Sequence, residues 1–235
     1  MSMYYFQSPF VFSHKPSGHK KFKDETISKI KAYIDRGLFI QEHPDHAINN
    51  FMTQFSRQND PSYAKFRFTE EWNNTIIWES VNAMMKQLLT DRPDIPEIPS
   101  SFSIEKFWFN YYPDGTYTKP HQHYGTDISG IYVVHSDGPN TTELMYSQNV
   151  GTWRYFNDIY STDHLPEGTV LLFPSHVTHW TIPSAGERYS IAFDLNVKEI
   201  THYMNDDGSQ TDRRKRDFEI AKQFIIDDEG TIPTF

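Results

Sequence analysis

Three histidines have the residue type and the spacing that a metal site requires. His121 and His123 stand two residues apart in the segment PHQH, and residues i and i+2 of a β-strand point to the same face. Two neutral imidazoles suit a divalent transition metal, and a third ligand from a distant strand would complete a site with open positions. His179 follows an apolar run, 168–174, that is expected to be buried. A histidine pair in a strand is more often structural, so the third histidine makes the set informative.

Short motifs follow one another in a fixed order between residues 104 and 196. In chain order they are Trp108 and Asn110, His121 and His123, Ser129-Gly130-Ile131-Tyr132, Gly168, Phe173-Pro174-Ser175, His179, and Arg188 with Ser190. This ordered set resembles the iron(II)/2-oxoglutarate-dependent dioxygenases, and within them a bacterial and phage group of oxygenases that carries an H-x-H motif. Each piece alone is weak, whereas the complete order is specific.

The resemblance implies a reaction and a role for each of four residues. The enzyme would couple conversion of 2-oxoglutarate to succinate and CO2 with hydroxylation of an unidentified substrate, using Fe(II) and O2. His121 and His179 look like the two metal ligands typical of the superfamily. Arg188 looks like the partner of the distal carboxylate of 2-oxoglutarate, because a guanidinium binds a carboxylate through two charge-assisted hydrogen bonds, and Ser190 like a second donor. The structural alternative for Arg188 is a surface ion pair with Glu187 or another acidic residue.

The third metal ligand stays open between two residues. The wider superfamily has a carboxylate where this chain has His123, but the resembling group carries H-x-H, so His123 is the expected ligand. Three neutral histidines would leave the iron more positive than two histidines and a carboxylate. Asp127 is the alternative, although it would lie ~13 Å away along an extended strand unless the chain turned sharply at Gly125. His176 is likewise an alternative to His179.

Much of the cupin pattern is present as well. Gly115, six residues before His121, and Gly168, ahead of His179, match the spacing of the two cupin motifs. Cupins share the double-stranded β-helix, so both resemblances imply one fold but two functions. A cupin-type metal-dependent dioxygenase or isomerase that does not use 2-oxoglutarate is one alternative, and a non-catalytic jelly-roll binding protein is another. The R-x-S motif favours the oxygenase.

Hydrophobic periodicity predicts a strand-rich core between helices. Apolar residues at helical spacing predict helices over 24–36 and 69–89, and a third helix is expected over 212–226. Eight short strands separated by turn residues are typical of a jelly roll. They are 104–112, 117–123, 128–135, 141–147, 152–156, 168–174, 178–182 and 187–197. A turn at 184–186 is expected to bring the strand of Arg188 alongside the strand of His179.

The expected fold is therefore mainly β, a double-stranded β-helix (jelly-roll) core with α-helices at its N- and C-terminal sides. One domain, 1–235, would comprise an N-terminal strand and helix support region (1–100), the catalytic core (101–198), and a C-terminal helix with an acidic tail (199–235). The proline-rich stretch 91–99 is expected to be a stiff connector, and the polar stretch 41–67 to be irregular.

Composition restricts the function classes further. The 235 residues suit one large domain, and an aromatic content of 16% can fill its core although hydrophobic residues reach only 37%. The net charge of −9 argues against nucleic-acid and anionic-membrane binding, so a small-molecule or peptide substrate is expected, with a homodimer as one assembly to test. Without cysteine there is no disulfide, zinc–thiolate site or Fe–S cluster. No leader or membrane-length apolar run is evident, so a cytoplasmic location is expected.

Overall fold

The computed structural model describes most of the chain. The described residues are 10–37, 39–41, 47–48, 51–53, 56–57, 68–91, 97–138, 142–149, 155–161, 166–202, 211–213, 215–216 and 219. Two compact units divide the chain: Met1–Ser80 with Ile104–Asn196, and Val81–Ser103 with Val197–Phe235. The functional boundaries at residues 100 and 198 stay a prediction.

Thirteen strands lie within the described residues and are numbered β1 to β13 in chain order. They are Phe12–His14, Phe39–Gln41, Ala47–Ile48, Phe51–Thr53, Ser56–Arg57, Glu97–Tyr112, Tyr117–Thr118, Ile128–Ser136, Thr142–Asn149, Tyr155–Ser161, Val170–Pro174, Thr178–Thr181 and Arg188–His202. The major sheet has the order β1-β11-β8-β13-β6-β4-β2, with β5 also paired to β6. A minor sheet has the order β10-β9-β12, and β3 pairs with β7. The antiparallel sheets confirm the predicted mainly β jelly-roll fold.

Side chains on the major sheet alternate between a cavity and a helix-covered face, because successive residues of a strand point to opposite faces. On β6, Lys106, Trp108, Asn110 and Tyr112 line the cavity. On β13 the cavity-lining residues are Arg188, Ser190, Ala192 and Asp194. The intervening Phe107 and Phe109 are buried against the aromatic ring of Phe68, with centroid separations of 6.0 and 5.9 Å. Because of this alternation along each strand, one set of side chains lines the cavity and the other set packs in the core.

Within the first unit, helical residues pack on the outer face of this sheet: the ring centroid of Tyr33 lies 5.4 Å from that of Phe109, and that of Trp72 lies 6.3 Å from that of Phe107. Helix α1 spans His19–Asp35, and a second helical segment consists of α2 (Glu70–Trp72), a π-helical stretch (Asn73–Trp78) and α3 (Glu79–Asp91). Thr69 caps α2 by accepting a hydrogen bond from the Trp72 amide at 3.1 Å. In the described part of the chain, no helix combines the length and the apolarity needed to span a bilayer.

The helix predictions are confirmed in place but not at every end. The first helix begins five residues before the predicted residue 24, and Gly37, with φ 64°, follows its C-cap. The predicted helix 69–89 is present, although its π-helical stretch left no signal in the sequence. Of the predicted helix 212–226, residues 212–213, 215–216 and 219 are helical and the others lie outside the described residues.

Three extended segments differ from their predictions. The strand predicted over 117–123 stops at Thr118, so the histidine pair lies beyond it in a segment held by an isolated bridge between His121 and His179. The connector predicted over 91–99 ends earlier than expected, because β6 begins at Glu97. Ile98 on this strand is buried against Leu89. The stretch 41–67 contains the short strands β3, β4 and β5, whereas most of its remaining residues lie outside the described set.

Candidate active site

A cavity of about 260 Å³ opens between the two sheets of the first unit. Its lining comes from β6, β8 and β13 of the major sheet, from β12 of the minor sheet, and from the segment 118–123. All five residues predicted for the site, His121, His123, His179, Arg188 and Ser190, line it. The structure thus brings together residues that are up to 69 positions apart in the sequence.

The three histidines converge on one point of this cavity. Ring nitrogens of His121, His123 and His179 all lie within 4.8 Å of one another. The backbones of His121 and His179 exchange two hydrogen bonds of 3.0 and 2.9 Å, and the His123 amide donates to the Ser175 carbonyl at 3.0 Å. The segment is therefore held against β12 by main-chain pairing, although it is no longer a regular strand.

Hydrogen bonds at Nδ1 determine the tautomer of each ring. His121 Nδ1 lies 2.8 Å from the Lys119 carbonyl, and His179 Nδ1 lies 3.0 Å from the Val177 carbonyl. Because a carbonyl only accepts, each Nδ1 carries the proton and Nε2 carries the lone pair. His123 Nδ1 lies 2.7 Å from Oδ1 of Asp194, which orients this ring in the same way. The three rings thus present the nitrogen arrangement of metal-binding imidazoles.

The electrostatics of the cluster keep His179 neutral. Burial, reinforced by the neighbouring His121 and His123, lowers the pKa of His179 well below 6.5. A neutral imidazole is the form that binds a metal. The edge of Phe173 packs against the His179 ring at a centroid distance of 4.7 Å and restricts its rotation.

Both alternative ligands from the sequence lie outside the cluster. The chain does turn at Gly125, with φ 77°, as an approach by Asp127 would need. The Asp127 backbone nevertheless pairs with Leu195 and Ser175, and its side chain is exposed. His176 is exposed as well. Within the described residues, the group of three histidines includes neither of them.

Among the described residues, no acidic side chain pairs with the buried guanidinium of Arg188. Arg188 is 2% exposed, its guanidinium carbon lies 5.1 Å from the Tyr112 ring centroid, and its Nη2 lies 3.4 Å from Thr142 Oγ1. Its Nε has no hydrogen-bond partner among the described residues. Burial lowers the pKa of Arg188, yet a guanidinium keeps its proton at neutral pH. An uncompensated buried charge is costly, so the arrangement calls for an anion in the cavity.

Two further observations refine this end of the site. The ion pair considered between Arg188 and Glu187 is wrong, because the Glu187 carboxylate accepts hydrogen bonds from Tyr111 at 2.6 Å and Tyr189 at 2.8 Å. Ser190, 1% exposed, has a buried Oγ with no described partner. Arg188 Nε and Ser190 Oγ are therefore two donors with unused hydrogen-bonding capacity in one cavity wall.

The predicted route by which Arg188 reaches the site is wrong. Strand β12, which carries His179, pairs with β9 in the minor sheet. Strand β13, which carries Arg188, lies in the major sheet beside β8 and β6. The two residues therefore enter the cavity from different sheets and not from neighbouring strands.

Sequence reasoning missed the charged pair beside His123. Asp194 is fully buried, and its Oδ2 lies 3.5 Å from Lys106 Nζ. Ser129 completes the group, because its Oγ lies 2.7 Å from Asp194 Oδ1. A signal was available: Asp194 is a single acid within the otherwise apolar run Ile191–Leu195, where a buried charge needs a partner.

A family comparison agrees with the site. Residues 106–194 match the sequence model of a family described as "Putative 2OG-Fe(II) oxygenase". The match coincides with the motif-bearing segment, confirms the resemblance and favours the oxygenase over the cupin alternative. The chain therefore carries a 2OG-Fe(II) oxygenase domain, which makes it an oxidoreductase that uses Fe(II), 2-oxoglutarate and O2. No curated protein matches the chain in sequence.

Solved structures with the same fold include several such enzymes. A structure described as that of OsALKBH1 is 15% identical, with a TM-score of 0.56 over 81% of this chain and 100% of that one. The non-heme alpha ketoglutarate dependent carbocyclase SnoK from nogalamycin biosynthesis is 6% identical, with a TM-score of 0.56 over 82% and 81%. A prolyl hydroxylase from Trichoplax adhaerens is 11% identical, with a TM-score of 0.52 over 80% and 83%. At these identities the likeness establishes the fold.

Proposed function

We propose that His121, His123 and His179 hold the Fe(II) of this oxygenase. The donor set fits the ion, since three neutral imidazoles with their lone pairs on Nε2 converge in one cavity. The Nδ1 hydrogen bonds fix each ring before the ion arrives, so little ordering is needed on binding.

Arg188 and Ser190 bind the distal carboxylate of 2-oxoglutarate in this proposal. The observation that carries the function is the buried, uncompensated Arg188 guanidinium in the same cavity as the three histidines. Within the described lining of this cavity, its Nε and the Ser190 hydroxyl are buried donors that lack partners, and a carboxylate accepts from both. A dicarboxylic keto-acid supplies a charge for Arg188 at one end and leaves its other end for the histidines.

Bound Fe(II), with 2-oxoglutarate and O2, supplies the oxidation: one oxygen atom of O2 enters succinate as CO2 leaves, and the other enters the substrate as a hydroxyl group. The chain's own residues bind and orient. Arg188 fixes the co-substrate, and the rings of Trp108 and Tyr112 in the cavity wall restrict water. The Trp108 ring also contacts His123 at a centroid distance of 5.3 Å and holds it in place.

The substrate in this proposal is a small molecule or a peptide that is hydroxylated. Among proteins with this fold, one solved prolyl hydroxylase is in complex with a peptide fragment, and a carbocyclase comes from nogalamycin biosynthesis. Both substrate sizes are therefore compatible with the fold.

Succinate formation tests the proposed function. Protein loaded with Fe(II) is supplied with 2-oxoglutarate and O2, and succinate and CO2 are measured with and without a chelator. We expect slow, iron-dependent succinate formation even without a second substrate, because the residues proposed to bind iron and the keto-acid all line one cavity of this chain. Protein that retains iron but neither binds nor converts 2-oxoglutarate would contradict the proposal and support the cupin-type alternative.

A further inference from the structure

The third histidine differs from the other two in what holds it. His121 and His179 donate from Nδ1 to main-chain carbonyls, which are neutral. His123 donates to the carboxylate of Asp194, at 2.7 Å. Because a hydrogen bond to a charged acceptor is about twice as strong as one to a neutral acceptor, this ring is the most firmly oriented of the three.

Asp194 is buried in the cavity wall beside His123. It follows Arg188, Ser190 and Ala192 on the cavity side of β13, and its side chain is 1% exposed. Its Oδ1 contacts both His123 Nδ1 and Ser129 Oγ, each at 2.7 Å. Its Oδ2 has no hydrogen bond from a described residue and lies 3.5 Å from Lys106 Nζ. The carboxylate is thus only partly compensated by the protein around it.

A partly compensated buried anion is unfavourable unless a cation lies nearby. Lys106 Nζ supplies one positive charge at 3.5 Å, and the histidine cluster, which the Asp194 carboxylate reaches through a single imidazole ring, is the place for a second. A carboxylate that accepts from the outer nitrogen of a metal-bound histidine raises the basicity of that ligand. The three-histidine cluster lacks the negative ligand of the wider superfamily, and Asp194 supplies a negative charge one residue further out.

We propose that Asp194 is a positioning residue that makes His123 an electron-rich ligand, so that the His123–Asp194 pair takes the place of the carboxylate ligand. The inference rests on the proposed function, since it requires Fe(II) at the three histidines. It predicts that the negative charge of Asp194, and not only its shape, determines how tightly the metal is held and how readily it is oxidised.

Asp194→Asn separates charge from shape, because the amide oxygen can still accept from His123 Nδ1. Metal affinity is measured by titration with Ni(II), which binds nitrogen sites more tightly than Fe(II), and the Fe(III)/Fe(II) midpoint potential is measured on iron-loaded protein. We expect a loss of about 10- to 100-fold in affinity and a higher potential, since removal of a negative charge disfavours the more positive ion. Ser129→Ala is the matched control: it removes a hydroxyl that lies 2.7 Å from Asp194 Oδ1 and 2.9 Å from His123 Nδ1, leaves the charge unchanged, and should have a smaller effect on both.

A double-mutant cycle shows whether Asp194 acts through His123. In a His123→Ala background, Asp194→Asn should have no further effect on Ni(II) affinity. A full effect in that background would make Asp194 a direct ligand and overturn the proposal. Folded Asp194→Asn protein with wild-type affinity and potential would also overturn it while leaving the proposed function intact. Wild-type protein that binds no metal would instead refute the proposed function, and this inference with it.

Discussion

Two clusters of histidines and charged side chains in the first unit are built differently. In the cluster around Glu167, the carboxylate accepts from His135 Nδ1 at 2.5 Å and from Lys23, and His19 Nε2 lies 3.5 Å away. The second nitrogen of His19 lies 2.8 Å from the Tyr132 hydroxyl, and that of His135 lies 3.0 Å from an Asp137 oxygen. Both nitrogens of each histidine are therefore engaged by protein groups.

The cavity leaves polar capacity unused. Its histidines are oriented through Nδ1, and buried atoms of Arg188, Ser190 and Asp194 lack described hydrogen-bond partners. Buried polar groups are nearly always satisfied, so a concentration of exceptions in one cavity indicates a ligand site. A cluster of histidines therefore indicates a ligand site only when the hydrogen-bond partners of both ring nitrogens are taken into account.

The largest expected effect is loss of metal from the cavity. His179→Ala should lower Fe(II) affinity more than about 100-fold, because it removes a buried neutral ligand, and the fold should persist. His176→Ala, at the exposed histidine three residues earlier, is the matched control and should bind iron like the wild type. Iron analysis after gel filtration distinguishes the two variants. Stoichiometric iron in His179→Ala would refute the ligand assignment.

The next effect distinguishes His123 from Asp127. Truncation of His123 to Ala should weaken Fe(II) binding at least about 10-fold, since one of three converging imidazoles disappears. Asp127→Ala should change the affinity less than about twofold, because its side chain is exposed and outside the cluster. Calorimetric titration with Fe(II) under nitrogen measures both. If Asp127→Ala weakened Fe(II) binding more than His123→Ala, Asp127 would be the third ligand. That result would contradict the structure, in which the Asp127 side chain is exposed and outside the cluster.

A moderate effect is expected at Glu167, on stability alone. Although burial by itself would raise its pKa, hydrogen bonds from Lys23 and His135 outweigh burial and lower the pKa of Glu167 to about 2. Because this pKa lies below the unfolded value of 4.5, the stabilisation is complete above pH 4.5 and is lost as pH falls towards 2. The side chain is 32% exposed, so the contribution is discounted to about 1–2 kcal/mol.

Urea unfolding of metal-free protein tests this expectation. Glu167→Gln should lose that stability at pH 7 and should lose less further stability than the wild type on acidification to pH 3. Its iron affinity should equal that of the wild type, which separates this cluster from the cavity. If Glu167→Gln kept wild-type stability but lost iron, Glu167 would contribute to the metal site, and the distinction between the two clusters would be wrong.

The order of the motifs was enough to predict which residues converge in the cavity: His121, His123, His179, Arg188 and Ser190. Strand periodicity was not the reason for the first two, because His121 and His123 lie beyond the strand that was expected to carry them. The assignment of β12 and β13 to different sheets was not accessible, because strand pairing is long-range and one sequence does not specify it.

The role of Asp194 was missed for a related reason. Its partners His123, Ser129 and Lys106 lie 65 to 88 positions earlier in the sequence, and only the fold brings them into contact. The π-helical stretch Asn73–Trp78 was equally invisible, because its apolar spacing differs little from that of an α-helix. Predictions failed where the decisive interaction spans sheets or elements.

The central claim is that one cavity holds Fe(II) at the histidines and 2-oxoglutarate at Arg188. Anaerobic calorimetric titration of 2-oxoglutarate into Fe(II)-loaded protein tests it most directly, with wild type, Arg188→Met and the surface control Arg213→Met side by side. The account predicts one-to-one binding to wild type and to Arg213→Met, and an affinity at least about 10-fold lower in Arg188→Met at unchanged iron content. Equal 2-oxoglutarate affinity in wild type and Arg188→Met, or no binding to iron-loaded wild type, would contradict the account.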